Sequence, residues 1–156
     1  MPSEIEERLK EMNIELPNLP EPKFAYVSTK KVNNLVYTSG FDCRKHGELQ
    51  YKGKLGKDLT IEEGYEAARL TMLNCLAAIR DEIGHLGKVK QVVKVLGFVN
   101  SAPGFVEQPL VINGASDLLH EIFGERGKHA RSAISANELP FDTPVEIEMI
   151  VEVDRE

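Results

Sequence analysis

Residues 91–99, QVVKVLGFV, carry apolar side chains at both parities: Val93, Val95 and Val99 on one, Val92, Leu96 and Phe98 on the other. In an extended chain successive side chains point to opposite faces, so this segment reads as a strand buried on both sides. It excludes a sheet with one face left wholly in water. Residues 145–153, VEIEMIVEV, differ: Val145, Ile147, Met149, Val151 and Val153 share one face, and Glu146, Glu148 and Glu152 share the other. That alternation reads as a strand with a single apolar face.

Periodicity and punctuation give the other elements. Residues 3–13 read as a short leading helix, with Ser3 and Glu6 at capping-box spacing and Ile5, Leu9 and Met12 on one side. Pro17, Pro20 and Pro22 then force an extended connector. Residues 1–23 are thus expected as an appendage, and 24–156 as the one main domain. Residues 24–30 and 34–39 read as strands around a turn at Val32–Asn34, where asparagine tolerates left-handed geometry. A short strand is expected near Glu48–Tyr51. Thr60 and Glu63 form a second capping box, opening a helix that Gly84 closes after Ile83. Ala68, Met72, Cys75, Leu76, Ile79 and Ile83 make its apolar stripe. Another helix runs from Pro109 to Phe123, stopped by Gly124, with Ile112, Ala115, Leu119 and Ile122 inward. Residues 130–136 read as a strand.

The order β-β-α-β-α-β-β implies an α+β fold of ferredoxin-like type, a mixed sheet with both helices on one face. Two helices cover only that face. The other side of 92–99 is expected to be buried by another subunit, the leading helix being the alternative cover.

At 156 residues the chain suits one domain. Its 25 acidic and 19 basic residues give a net charge of −6, which argues against general binding to nucleic acid or an anionic membrane. The absence of tryptophan leaves few platforms for stacking single-stranded RNA. Cys43 and Cys75 cannot form a disulfide framework, and Cys75 reads as a small buried hydrophobe. No basic-then-apolar leader pattern and no run of 18 apolar residues is seen, so a cytoplasmic location and no membrane partner are expected.

Most signatures are missing. Gly53-Lys54-Leu55-Gly56-Lys57 departs from a phosphate loop, with Tyr51 where the first glycine would stand and Asp58 after Lys57. His46, His85, His120 and His129 lack ligand spacing, so no metal site is expected. Glu146 and Glu148, about 7 Å apart along a strand, read either as a solvated face or as an acid–base pair. Positive charge gathers at Arg126, Lys128 and Arg131. Arg131 at a strand start can grip a carboxylate through two parallel hydrogen bonds, the alternative being a surface arginine.

Four stations occur in order: Tyr26 within Ala25-Tyr26 and Ser39-Gly40 within Tyr37-Thr38-Ser39-Gly40; Asn113 in the second long helix; Ala130-Arg131-Ser132; and Leu139-Pro140 followed by Val145-Glu146-Ile147-Glu148. Together they make residues 24–153 resemble the RidA/YjgF family, also called the endoribonuclease L-PSP or translation-inhibitor family. The resemblance implies a chorismate-mutase-like homotrimer, with an inner barrel of sheets, outer helices and ligand clefts between subunits. It implies cofactor-independent hydrolytic deamination of 2-imino acids, or their enamine tautomers, to 2-oxo acids and ammonia. By position, Arg131 would grip the substrate carboxylate and Glu146 would position or polarise water. Tyr26, Ser39 and Asn113 would line the cleft, and the backbone at Gly40 and Ala133 would supply polar contacts. The competing readings are a non-catalytic module for small carboxylates and an RNA-cleaving protein. Departures are visible: Ala133 stands where many members have cysteine, His129 where proline is common, and Asn113 lies one residue further from Arg131. The leading helix and the Ser101–Gln108 loop, where Phe105 is expected to narrow the cleft, suggest a longer branch.

Overall fold

The computed structural model describes residues 3–155; the outermost positions of the two expected segments, 1–2 and 156, lie outside it. Helix α1 spans Glu4–Glu11, with the Ser3 hydroxyl oxygen accepting from the Glu6 amide. The Ser3 half of the expected capping box is therefore present. Strands β1 (Thr29–Val32) and β2 (Leu35–Thr38) form a hairpin through Asn33, whose φ of 54° is left-handed. The 24–30 strand expectation fails for residues 24–28, which lie outside the ladder; pairing starts at Thr29, opposite Thr38. A small separate hairpin follows, β3 (Arg44–Lys45) and β4 (Glu48–Leu49).

Helix α2 covers Ile61–Ile83 with the reciprocal Thr60–Glu63 capping box, and Gly84 ends it at φ 98°. Strand β5 is Val89–Asn100, α3 is Gln108–Phe123, β6 is Ala130–Ala136 and β7 is Val145–Val153. The five-stranded sheet runs β1-β2-β7-β5-β6, antiparallel except for the parallel β5–β6 pair. The right-hand edge strand is thus β6, which carries Arg131.

Both long helices pack on one face, over Val36, Val92, Val95, Val99, Ile147, Met149 and Val151. Each such side chain, moved fully out of water, contributes about 1.5–3 kcal/mol. One detail departs from simple alternation. β5 carries register shifts between Val89 and Gln91 and between Val92 and Lys94. The second puts Val92 on the helix side with Val95 and leaves Val93 exposed, the reverse of the expected assignment of those two valines.

The opposite face is bare in the single chain. Its rows are read from the strand register: Glu146–Phe98–Ile134, Glu148–Leu96–Ser132 and Tyr37–Ile150–Lys94. α1 is not its cover. That helix docks on α3 and on the turn at Leu86–Lys88, with Arg8 donating to the Ile122 carbonyl at 2.7 Å and the Gly87 amide donating to Glu6 at 3.3 Å. Ile5 and Leu9 are buried in the main core. The leading helix therefore extends the helix layer and leaves the outer sheet face open.

Candidate functional site

All the expected site residues but Tyr26 fall into two groups on opposite sides of the sheet. The first gathers at the β6 edge beneath α3. Arg131 is in register with Val95, and Val95 with Met149, which places it on the helix face. Its Nη1 donates to Ser116 Oγ at 3.0 Å and its Nη2 to the Pro109 carbonyl at 3.4 Å. Asn113 lies between those residues on α3, at the four- and three-residue steps that align side chains on one helix face. Ala133, two residues beyond Arg131, packs partly against the core.

Arg131 differs from most of the described arginines in its charge environment; the exposed Arg126 also lacks a carboxylate among the described residues and donates only to the Val89 carbonyl at 3.4 Å. Arg8, Arg44, Arg69 and Arg80 each have a carboxylate within 3.1 Å. Among the described residues, none lies within ion-pair distance of the half-buried Arg131 guanidinium. A planar cation held by neutral acceptors, with donors to spare, is suited to a carboxylate from outside.

Sequence reasoning did not assign two residues of this group. His129 Nδ1 lies 2.6 Å from the Gly127 carbonyl and its Nε2 lies 2.9 Å from Ser116 Oγ. Its pKa is lowered, first by burial and then by the Arg131 charge, against the raising effect of the Gly127 carbonyl. The signal for His129 was its replacement of a customary proline; Ser116 had none, because only the return of the chain from α3 to β6 brings the two together.

The second group lies where the chain turns from β2 beside β7. Phe41 exchanges backbone hydrogen bonds with Ile147 at 2.9 and 3.0 Å, which lays Gly40 against Glu146. A Cβ on Gly40 would stand 2.9 Å from Glu146 Oε2, so a side chain there would press on that carboxylate. Ser39 Oγ donates to the Val27 carbonyl at 2.6 Å, tying this corner to the segment carrying Tyr26. Tyr26 itself is exposed and lines a separate groove against α2, with Pro20, Pro22, Ala78, Asp81 and Glu82, on the helix side rather than beside Glu146. Burial pushes the Glu146 carboxyl above the usual range, and Asp42 and Glu148 push it further. A carboxylate raised in this way is a stronger base than an exposed one. Glu152, on the same face, is instead held by Asn34 and Gln91.

Other expectations resolve more simply. Cys43 and Cys75 are both buried and free, and burial raises the Cys75 thiol pKa. Phe105 packs against Gly56 and the core. Lys54 donates to Asn100 Oδ1 at 2.9 Å and to the Asn137 carbonyl, tying its loop to the end of β5. Among the described residues no group of three or more metal-capable side chains converges, and no helix is long and apolar enough to cross a membrane.

Residues 6–153 match the profile of the family described as "YjgF/chorismate mutase-like, putative endoribonuclease". Protein TCP17 of Trypanosoma cruzi is 40% identical over 147 residues, covering 94% of this chain and 92% of that protein. A solved structure from Agrobacterium tumefaciens, the protein Atu1372 with unknown function, is 43% identical with a TM-score of 0.87, covering 96% and 92% of the two chains. A "putative endoribonuclease" from Shewanella oneidensis MR-1 is 35% identical with a TM-score of 0.91, covering 96% and 99%. With the mixed sheet and the paired helices in place, and the family profile matching residues 6–153, this chain belongs to the YjgF/chorismate mutase-like family.

Proposed function

We propose that the protein hydrolyses small 2-imino acids, or their enamine tautomers, to 2-oxo acids and ammonia in clefts between the subunits of a homotrimer. One observation carries the reading: a half-buried Arg131 guanidinium, fixed by neutral acceptors and lacking a carboxylate among the described residues. The substrate supplies the missing carboxylate. The bare sheet face, with Leu96, Phe98, Ile134 and Tyr37, supports burial against other copies.

The chemistry asks little of the protein. Arg131 of one copy holds the carboxylate, with Asn113 and the Ala133 backbone beside it. The neighbouring copy brings Ser39, Gly40 and Glu146. Water adds to the carbon of the protonated imine while Glu146 accepts one of its protons, giving a neutral carbinolamine. Glu146 then returns that proton to the amino nitrogen, the C–N bond breaks as the C=O forms, and the carbinol O–H proton leaves with the ammonia as ammonium. Orientation and proton transfer suffice.

The test is ammonia release from imines generated in situ by a serine or threonine dehydratase. Acceleration over buffer is expected, and Arg131→Ala should lower kcat/KM about ten- to a hundredfold with the assembly intact, the usual worth of a charge-assisted hydrogen bond. No acceleration by the wild-type protein overturns the reading. Binding of a 2-oxo acid without turnover would favour the non-catalytic carboxylate module instead. Cleavage of RNA is disfavoured by the net charge of −6.

A further inference from the structure

We propose that His129 is a positioning residue for Arg131, acting through the Ser116 hydroxyl. The inference rests on the reading of Arg131 as a carboxylate grip only for its purpose; the relay itself stands on geometry.

The direction of every hydrogen bond in the chain is determined. A carbonyl can only accept, so the contact of His129 Nδ1 with the Gly127 oxygen, at 2.6 Å, requires the proton on Nδ1. With the imidazole neutral, Nε2 is then bare and can only accept. Ser116 must donate its O–H to Nε2, across 2.9 Å. That fixes the hydroxyl rotor and leaves the Ser116 lone pairs for Arg131 Nη1, at 3.0 Å. A serine without His129 could swing its hydrogen toward the guanidinium, where it would meet another donor. The histidine removes that option and gives Arg131 a fixed acceptor.

Neutrality is part of the device. An imidazolium would place a donor at Nε2 and a second cation beside the guanidinium. Burial and the charge of Arg131 both oppose that form. Arg131 is thus held in one plane before any ligand arrives, the condition under which a fork of N–H donors meets a planar carboxylate at least entropic cost.

The Ser116–His129 pair also has the spacing of a nucleophile and its base. Its setting does not suit that role. Ser116 lies inside α3, where neighbouring backbone N–H groups serve the helix, so no backbone oxyanion donors converge on it.

The test compares the wild type with Ser116→Ala, His129→Phe, His129→Gln and the Ser116→Ala/His129→Phe double variant. Nitrogen-15 NMR of the guanidinium reports how fast Arg131 Nη groups rotate, and thermal melting checks that each variant is folded. Slow rotation is expected in the wild type and in His129→Gln, whose amide oxygen still accepts from Ser116. Rotation should quicken about tenfold in Ser116→Ala and His129→Phe, and the double variant should match Ser116→Ala alone, because the histidine acts only through the serine. Equal rotation in every protein, additive effects in the double variant, or a His129→Gln protein as loose as His129→Phe would overturn the relay. Titration with 2-oxobutanoate is a separate arm. If Arg131→Ala leaves that affinity unchanged while the rotation pattern holds, the carboxylate reading fails and the relay stands.

Discussion

Arg131 and Glu146 lie on opposite faces of one sheet. Arg131 shares a row with Val95 and Met149 beneath the helices, whereas Glu146 shares a row with Phe98 and Ile134 on the bare side. Layers packed on a sheet stand about 10 Å from it, so a small substrate cannot touch both side chains through one sheet. If both act on one molecule, they come from different copies of the chain.

That geometry makes a complementation prediction. Arg131→Ala should keep about 1–10% of wild-type imine hydrolysis, and Glu146→Gln about 1% or less. Mixed under conditions of subunit exchange, they should regain about a quarter of wild-type activity. In a randomly mixed cyclic trimer, a given cleft draws an intact arginine and an intact neighbouring glutamate in roughly one case in four. Zero recovery, with mixing verified by mass spectrometry, would mean that the two groups act within one chain or not together.

Glu146 gives a prediction about pH. Folding places its carboxyl where burial, Asp42 and Glu148 disfavour the charged form. The folded protein therefore holds this proton to higher pH than the unfolded chain does. Stability falls as pH rises through the window above the ordinary glutamate value of 4.5, and the cost is complete above the folded pKa. Glu146→Gln should thus be more stable than wild type to urea at pH 7 and should lose part of the pH dependence in that window. The same variant should lose activity by about 10²- to 10⁴-fold. Lower stability of the variant at pH 7 would show that the carboxylate is stabilised by its surroundings.

The helices and strand β7 were legible because capping and periodicity are local. Thr60 with Glu63, Gly84, and the alternation of Val145–Val153 each needed only near neighbours. The faces of β5 were not, because a register shift at Val92–Lys94 depends on how β7 pairs with it. The residues at 24–28 look strand-like by composition, yet β2 is too short to pair with them. Arg131 and Glu146 could be chosen from the resemblance to a family, but not their placement on opposite faces, which is fixed by register. The His129–Ser116 contact depends on the path from α3 into β6, which no spacing rule encodes.

Gly114 should be intolerant of any side chain. A Cβ there would fall 2.0 Å from the Tyr65 carbonyl oxygen, a backbone atom of α2 that cannot rotate aside. The two helices touch here at backbone distance, and Gly114→Ala would have to push them apart. Overpacking of this kind costs about 1–3 kcal/mol, which outweighs the roughly 1 kcal/mol gained from alanine's better helix propensity. Urea denaturation should show a net loss of stability. A variant as stable as wild type would mean that α2 and α3 can separate without disturbing the core.

The bare sheet face supports the last prediction. Ile134 is 46% exposed on the edge strand β6, in the same row as Phe98 and Glu146, on the surface that the proposed trimer would bury. Ile134→Asp changes little within one chain, since its side chain meets water there and leaves the helix-side core untouched. In an assembly it would bury a carboxylate near Glu146, and an unpaired buried charge costs far more than an exposed one. The variant should therefore sediment as a smaller species than wild type while keeping its far-ultraviolet circular dichroism. Imine hydrolysis should fall with it, because each cleft needs groups from two copies. A wild-type protein that sediments as a monomer at micromolar concentration would remove the basis for shared clefts. An Ile134→Asp protein that stays trimeric and active would show that this row is not at the contact.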